Sequence, residues 1–219
     1  MIFISQDLPG LSSSDQEGLK VAGLFGNPIQ VSQGDDVYKF EEEELFLLKN
    51  VEFKDNFKNL ISSSFYILDD LKLNNIKEYI QNYLNFYIRN ILMLSEDIKI
   101  KITTSWVNKT LKNQGHHSHS HTNSIISGIL TLTKNNKICF NDTNSAIHLF
   151  AKTLSLSSDD ILSSTIQCQF QSVGSLILFP SSLNHHVPKY DGQEPRYSLS
   201  FNTIIYGKIG QGVDELVLP

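Results

Sequence analysis

From Leu73 to Leu94 apolar residues recur at three- and four-residue steps, through Ile76, Ile80, Tyr83, Leu84, Tyr87, Ile88 and Ile91. That spacing keeps one stripe of a 3.6-residue helix apolar and predicts an amphipathic helix of several turns. Its tyrosines are expected to bury their rings in a core and hydrogen-bond their hydroxyls. Past Ser95-Glu96-Asp97 the period drops to two. Ile98, Ile100 and Ile102 alternate with lysines, and Thr103 to Asn108 continue a β-type composition. Further strands are expected at 124–133, 137–141, 146–149, 165–171, 175–179 and 196–206, with no helix-length segment between them. Short strands separated by polar turns make an antiparallel sandwich or open barrel, not a parallel α/β sheet.

Upstream of the helix the pattern is weaker. Residues 1–35 are rich in Gly, Ser, Gln and Asp and keep no sustained period, so they read as an irregular arm with at most one short strand. The carboxylates Glu41 to Glu44, leading into Leu45-Phe46-Leu47-Leu48, read as a solvated acidic edge. Phe65 to Leu68 reads as a strand running into a helix cap at Asp69-Asp70. The expected division is an arm and extension over 1–60, packed on a helix-plus-β domain over 61–219.

Composition narrows the class. With 219 residues and 40% hydrophobic content, the chain can bury a sizeable core. A formal net charge of -5 gives no general attraction to nucleic acid or to an anionic membrane surface, and no run is long enough to span a bilayer. Cys139 and Cys168 are too few for a disulfide framework and too far apart for a CxxC site. The first ten residues lack a secretory signal pattern, so a cytoplasmic location is expected.

Candidate chemistry lies between Gly115 and Gly128, in G-H-H-S-H-S-H-T-N-S-I-I-S-G, where four of the seven histidines fall within six positions. On an extended strand His117, His119 and His121 project to one face. Neutral imidazoles in a row suit zinc, iron, copper or nickel, although a solvated His/Ser loop would look the same locally. A distal group follows. Leu176-Ile-Leu-Phe-Pro180 is an apolar strand stopped by proline, His185-His186 come five residues later, and Arg196 opens another strand. That strand sets Arg196, Ser198, Ser200 and Asn202 on one face and Tyr197, Leu199, Phe201 and Thr203 on the other. A polar row on a strand whose other face packs into a core suggests a lined pocket between two sheets. Non-haem iron(II) needs ligands that leave positions open for a bidentate co-substrate and oxygen. An arginine fork matches a carboxylate, with a nearby serine as a further donor. Together these parts describe a 2-oxoglutarate site.

The segments Thr104-Ser-Trp-Val-Asn108, His117-x-His-x-His-x-Asn-Ser-x-x-Ser-Gly128, Leu176-x-x-Phe-Pro-Ser181, Leu183-x-His185 and Arg196-x-Ser-x-Ser-x-Asn202 resemble the signature of 2-oxoglutarate- and iron(II)-dependent oxygenases common in marine bacteria and cyanophages. The resemblance covers roughly residues 60–206. It implies a double-stranded β-helix, or jelly roll, preceded by a helix, and an enzyme that hydroxylates a prime substrate while releasing succinate and CO2. Fe(II), 2-oxoglutarate and O2 are the implied cofactor and co-substrates, and a phage-infected host is one implied setting. By the same resemblance His119, His121 and His185 are the metal ligands, while Arg196 and Ser198 hold the 5-carboxylate of 2-oxoglutarate. Asn108, Asn123 and Ser124 are pocket candidates because they adjoin signature positions. The carboxylate that most relatives carry two residues after the first histidine is here His121. Three imidazoles, a His117/His119 pair, or Asp142 from the next strand would each complete the site. His116 and His148 are treated as ordinary surface or core histidines, and His186 as a structural or supporting one.

Two other readings fit the same residues. One is a three-histidine, cupin-like dioxygenase that does not use 2-oxoglutarate, and the other is a non-enzymatic jelly-roll module with a structural zinc. An exposed strand at a jelly-roll edge can also pair with a second copy, so a homodimer is allowed.

Overall fold

The change of period at residue 95 marks where a helical layer gives way to sheet. The computed structural model describes residues 19–24, 27–141 and 166–218. In chain order these form β1 (Leu19–Leu24), β2 (Asn27–Ser32), α1 (Glu42–Lys49), β3 (Phe53–Asn56), β4 (Asn59–Ser62), α2 (Asn74–Phe86), β5 (Ile98–Thr110), β6 (His116–His119), β7 (Ile126–Thr131), β8 (Asn136–Asn141), β9 (Ile166–Gln171), β10 (Leu176–Pro180), β11 (His185–Val187), β12 (Arg196–Ile209) and β13 (Leu216–Leu218). The larger sheet runs β1-β2-β10-β7-β12-β5-β4-β3, with β13 along the end of β12, and the smaller runs β6-β11-β8-β9. Neighbouring strands in both sheets are antiparallel. This is the double-stranded β-helix that the sequence led us to expect.

The larger sheet is covered on both faces. Ile76, Ile80 and Leu84 of α2 pack against Val107, Leu130, Leu178, Leu199 and Phe201 on its outer face. On the inner face Ile29, Val31, Ile177 and Phe179 meet Ile138 and Phe140 of the smaller sheet. Strand β10 therefore sends Leu176 and Leu178 toward the helix and Ile177 and Phe179 toward the other sheet, which is why it reads as an unbroken apolar run. Gly128 leaves room for the side chains of its neighbours on the flanking strands, since a Cβ there would lie 2.1 Å from Cζ of Phe201.

The tyrosines of the predicted helix behave as expected. Tyr79 donates to Ser32 Oγ at 3.0 Å and buried Tyr87 to the Pro28 carbonyl at 2.7 Å. Beyond Phe86 the helix continues as a π-turn over Tyr87–Ile91.

Elsewhere tertiary contacts override the local pattern. Phe65 to Leu68 is not a strand. Tyr66 makes one isolated bridge to Ser105, a 3-10 turn follows at Ile67–Asp69, and Leu68 donates its N–H to Ser105 Oγ. The acidic run is not wholly solvated either, because it opens α1. Glu44 is buried and accepts from the Glu41 N–H at 3.0 Å and from the Tyr38 hydroxyl at 2.7 Å, closing a capping box. The arm carries two strands, and β2 pairs with β10 inside the larger sheet. The β3–β4 hairpin, absent from the sequence reading, extends that sheet through Leu60 and Ile61 opposite Lys109 and Asn108. Cys139 and Cys168 sit directly opposite each other on β8 and β9 and form a disulfide, a pairing that spacing alone did not suggest. The strand expected at 146–149, with Asp142 and His148, lies outside the described residues. Among the described residues no helix is long and apolar enough to cross a membrane.

Candidate metal centre

Pairing of β6 with β11 sets His119 directly opposite His185. His121 follows just past the end of β6, where its N–H donates to the Ser181 carbonyl at 2.9 Å. The ligand atoms of His119, His121 and His185 all lie within 4.8 Å of one another. Local hydrogen bonds orient two of the rings in the same way. His119 Nδ1 meets the His117 carbonyl and His185 Nδ1 meets the Leu183 carbonyl, each at 2.9 Å. A carbonyl can only accept, so both rings carry the proton on Nδ1 and present the Nε2 lone pair to a metal. Buried His185 also stacks edge-on to Phe179, at 4.8 Å between ring centroids.

Burial, reinforced by the neighbouring imidazoles, keeps the cluster uncharged. It pushes His185 down to about 3 and His121 to about 4, and it lowers His119 as well. Each lone pair is therefore available at neutral pH. Three nitrogen donors gathered on one side suit a first-row divalent metal with coordination positions left open.

The polar row predicted on β12 faces the same interior. A narrow cavity of about 50 Å³ is lined by the three histidines together with Asn108, Arg196 and Ser198. Arg196 is 5% exposed, donates from Nη2 to Thr110 Oγ1 at 3.2 Å and lies 5.2 Å from the centroid of the Tyr190 ring. No carboxylate pairs with it among the described residues. Burial lowers its pKa to about 10, which leaves it protonated at neutral pH. A buried cation without a counter-charge is costly, and an anionic ligand in the cavity would relieve that cost. Beside it, Asn108 donates to Ser200 Oγ at 2.9 Å, and Trp106, the single tryptophan, also lines the cavity.

The remaining candidates fall elsewhere. Asn123 is exposed and lines neither the cavity nor the groove outside it. Ser124 donates to the Ile126 carbonyl at 3.0 Å and accepts from Ser181 Oγ at 2.7 Å, which braces the loop after His121. His117 is exposed, edge-on to Phe57. Among the cavity residues, Asn59, Thr110 and Val187 were not site candidates in the sequence, and His116 was set aside there as an ordinary histidine. His116 packs its ring 4.4 Å from that of His119, and buried Asn59 on β4 donates to Asn108 Oδ1 at 3.2 Å. Only recognition of the β3–β4 hairpin would have pointed to Asn59.

Comparison with known proteins gives a family-model match and several likenesses of fold. The family model described as "Putative 2OG-Fe(II) oxygenase" matches residues 104–202. No curated protein matches the chain. Among solved structures, a 2OG-Fe(II) oxygenase family oxidoreductase from Burkholderia pseudomallei superposes with a TM-score of 0.52 at 11% identity, covering 75% of this chain and 79% of that one. HygX from Streptomyces hygroscopicus, with nickel, 2-oxoglutarate and hygromycin B bound, gives 0.50 at 10% identity over 88% and 87% of the two chains. The non-heme alpha ketoglutarate dependent epimerase SnoN from nogalamycin biosynthesis gives 0.50 at 10% identity over 77% and 76%. At these identities the likeness is one of fold.

Proposed function

We propose that the chain is a 2OG-Fe(II) oxygenase, a reading supported by the family-model match over residues 104–202, in which His119, His121 and His185 hold the iron while Arg196 and Ser198 anchor the 5-carboxylate of 2-oxoglutarate. Bound together, iron and 2-oxoglutarate supply an oxidant made from O2 as the co-substrate is cleaved to succinate and CO2. The chain's own residues then do three things. The Nδ1–H bonds of His119 and His185 to backbone carbonyls fix the rings before metal arrives, so little ordering is left to be done on binding. Arg196, held between Thr110 and Tyr190, offers a guanidinium fork for a carboxylate, and Asn108 and Ser200 line the wall beside it. Phe140 and Phe179 close the floor under His185 and limit water there. Hydroxylation of a C–H bond in the prime substrate is the outcome we assign.

One observation carries this reading: a buried arginine with no carboxylate partner among the described residues shares a narrow cavity with the histidine cluster. An anaerobic Fe(II) titration with and without 2-oxoglutarate tests it. The expected result is a weak visible charge-transfer band that needs both components and disappears in Arg196→Ala. Oxygen uptake that proceeds without 2-oxoglutarate and survives Arg196→Ala would favour the three-histidine, cupin-like alternative, which the all-nitrogen ligand set also allows. For location the reading is the cytosol, so the Cys139–Cys168 bond would be one that cellular reductants can test.

A further inference from the structure

A groove of about 1090 Å³ runs outside the metal cavity and shares Asn59, His116 and Val187 with it as a common wall. We propose that this groove receives the prime substrate and selects one that carries an anionic group, carboxylate or phosphate, met by Lys58 and Lys189. The proposal rests on the oxygenase reading and names the substrate class for that site.

Size is the first argument. The groove has room for an extended molecule that reaches from the rim toward the metal cavity, as well as for a nucleotide or short peptide. Charge is the second. Among the described residues the lining contributes two ammonium groups, Lys58 and Lys189, against one carboxylate, Asp55. Neither lysine forms an ion pair among the described residues. The chain as a whole carries a formal -5, so a locally positive groove runs against its general balance. Farther in, the candidate ligand cluster contains no carboxylate among the described residues, so iron, a dianionic 2-oxoglutarate and the Arg196 guanidinium would together keep a net positive charge, which favours a negative group on the substrate.

Placement is the third argument. Lys58 sits at the tip of the β3–β4 hairpin, and its carbonyl accepts from the Gly115 N–H at 3.1 Å. Asn56 Nδ2 lies 3.3 Å from His116 Nε2, and Asn59 donates to Asn108 at 3.2 Å. The hairpin is therefore tied both to the segment that bears the metal ligands and to the cavity wall. Next to Lys58, Phe57 holds φ at 60° with its ring 85% exposed and edge-on to His117, which puts an apolar surface beside the charge.

The test starts from protein loaded with Mn(II) and 2-oxoglutarate, with loading followed by Trp106 fluorescence. Calorimetry then compares adenosine monophosphate with adenosine, and a glutamate tetrapeptide with its glutamine counterpart. We expect the anionic member of at least one pair to bind at least tenfold more tightly than its neutral partner. That advantage should shrink with salt and fall at least tenfold in the exposed double variant Lys58→Glu/Lys189→Glu, whose Mn(II) and 2-oxoglutarate loading stays unchanged. The pair that discriminates identifies phosphate or carboxylate as the recognised group. Equal affinities within both pairs, no binding by any of the four, or an unchanged double variant overturns the proposal while leaving the oxygenase reading intact. Failure of Mn(II) and 2-oxoglutarate to load removes both.

Discussion

Within the metal site the imidazoles depend on burial for their chemistry. His116, His121 and His185 are depressed in the folded protein to about 3, 4 and 3, with burial the largest cause in each, against about 6.5 for an unfolded chain. Below pH 6.5 the unfolded state takes up protons that the folded state refuses, so stability is lost as pH falls toward 4. The urea midpoint of metal-free protein should therefore drop steadily between pH 7 and 4.5, and His121→Ala should make that slope shallower. His185→Ala should abolish stoichiometric Mn(II) binding measured by calorimetry, because two imidazoles remain where three converge. Arg196→Ala should raise the KM for 2-oxoglutarate at least tenfold, with Arg196→Lys in between, since an ammonium keeps the charge but loses the fork. A histidine-rich metal candidate could be read from the sequence because histidine in alternation states its own chemistry, while the set His119, His121 and His185 was what the family resemblance implied. His116 could not, because what distinguishes it is the ring of His119 packed against it.

At the level of single elements, β7 and β8 carry the sharpest constraints. Gly128 on β7 faces the Phe201 ring, so Gly128→Ala must displace a fully buried aromatic side chain and should cost about 1–3 kcal/mol in urea unfolding. On β8, Cys139 pairs with Cys168 across 29 residues of sequence, and it also lies opposite His186 beside the ligand strand. Breaking that link with Cys168→Ser should cost roughly 3 kcal/mol on loop-entropy grounds, read as the difference between unfolding curves without reductant. Helix α2 and most strands from β5 onward, though not the short β11 and β13, were legible because burial on one face imposes a period of 3.6 or 2. The hairpin β3–β4 was not. Its eight residues include Lys54, Asp55, Asn56 and Asn59, and only pairing with β5 makes them a strand edge.

For the molecule as a whole, ligand binding should report on folding, because the site draws on both sheets: β6 and β11 carry candidate metal ligands, while β5 and β12 supply the cavity wall. Mn(II) together with 2-oxoglutarate, at about a hundred times its dissociation constant, should add roughly 2.7 kcal/mol and raise Tm by about 5–10 °C. The shift should vanish in His185→Ala. What the sequence determined by itself was the order of α2 and the strands after it, the histidine-rich stretch and the polar face of β12, since each is written in local periodicity and side-chain type, whereas the candidate ligand set came from the family resemblance and from the geometry of the fold. Tertiary structure decided which residues are enclosed together. Burial is a property of several distant segments at once, and it alone leaves Arg196 with no counter-charge among the described residues, draws Asn59 and His116 into the site, and brings two solitary cysteines face to face.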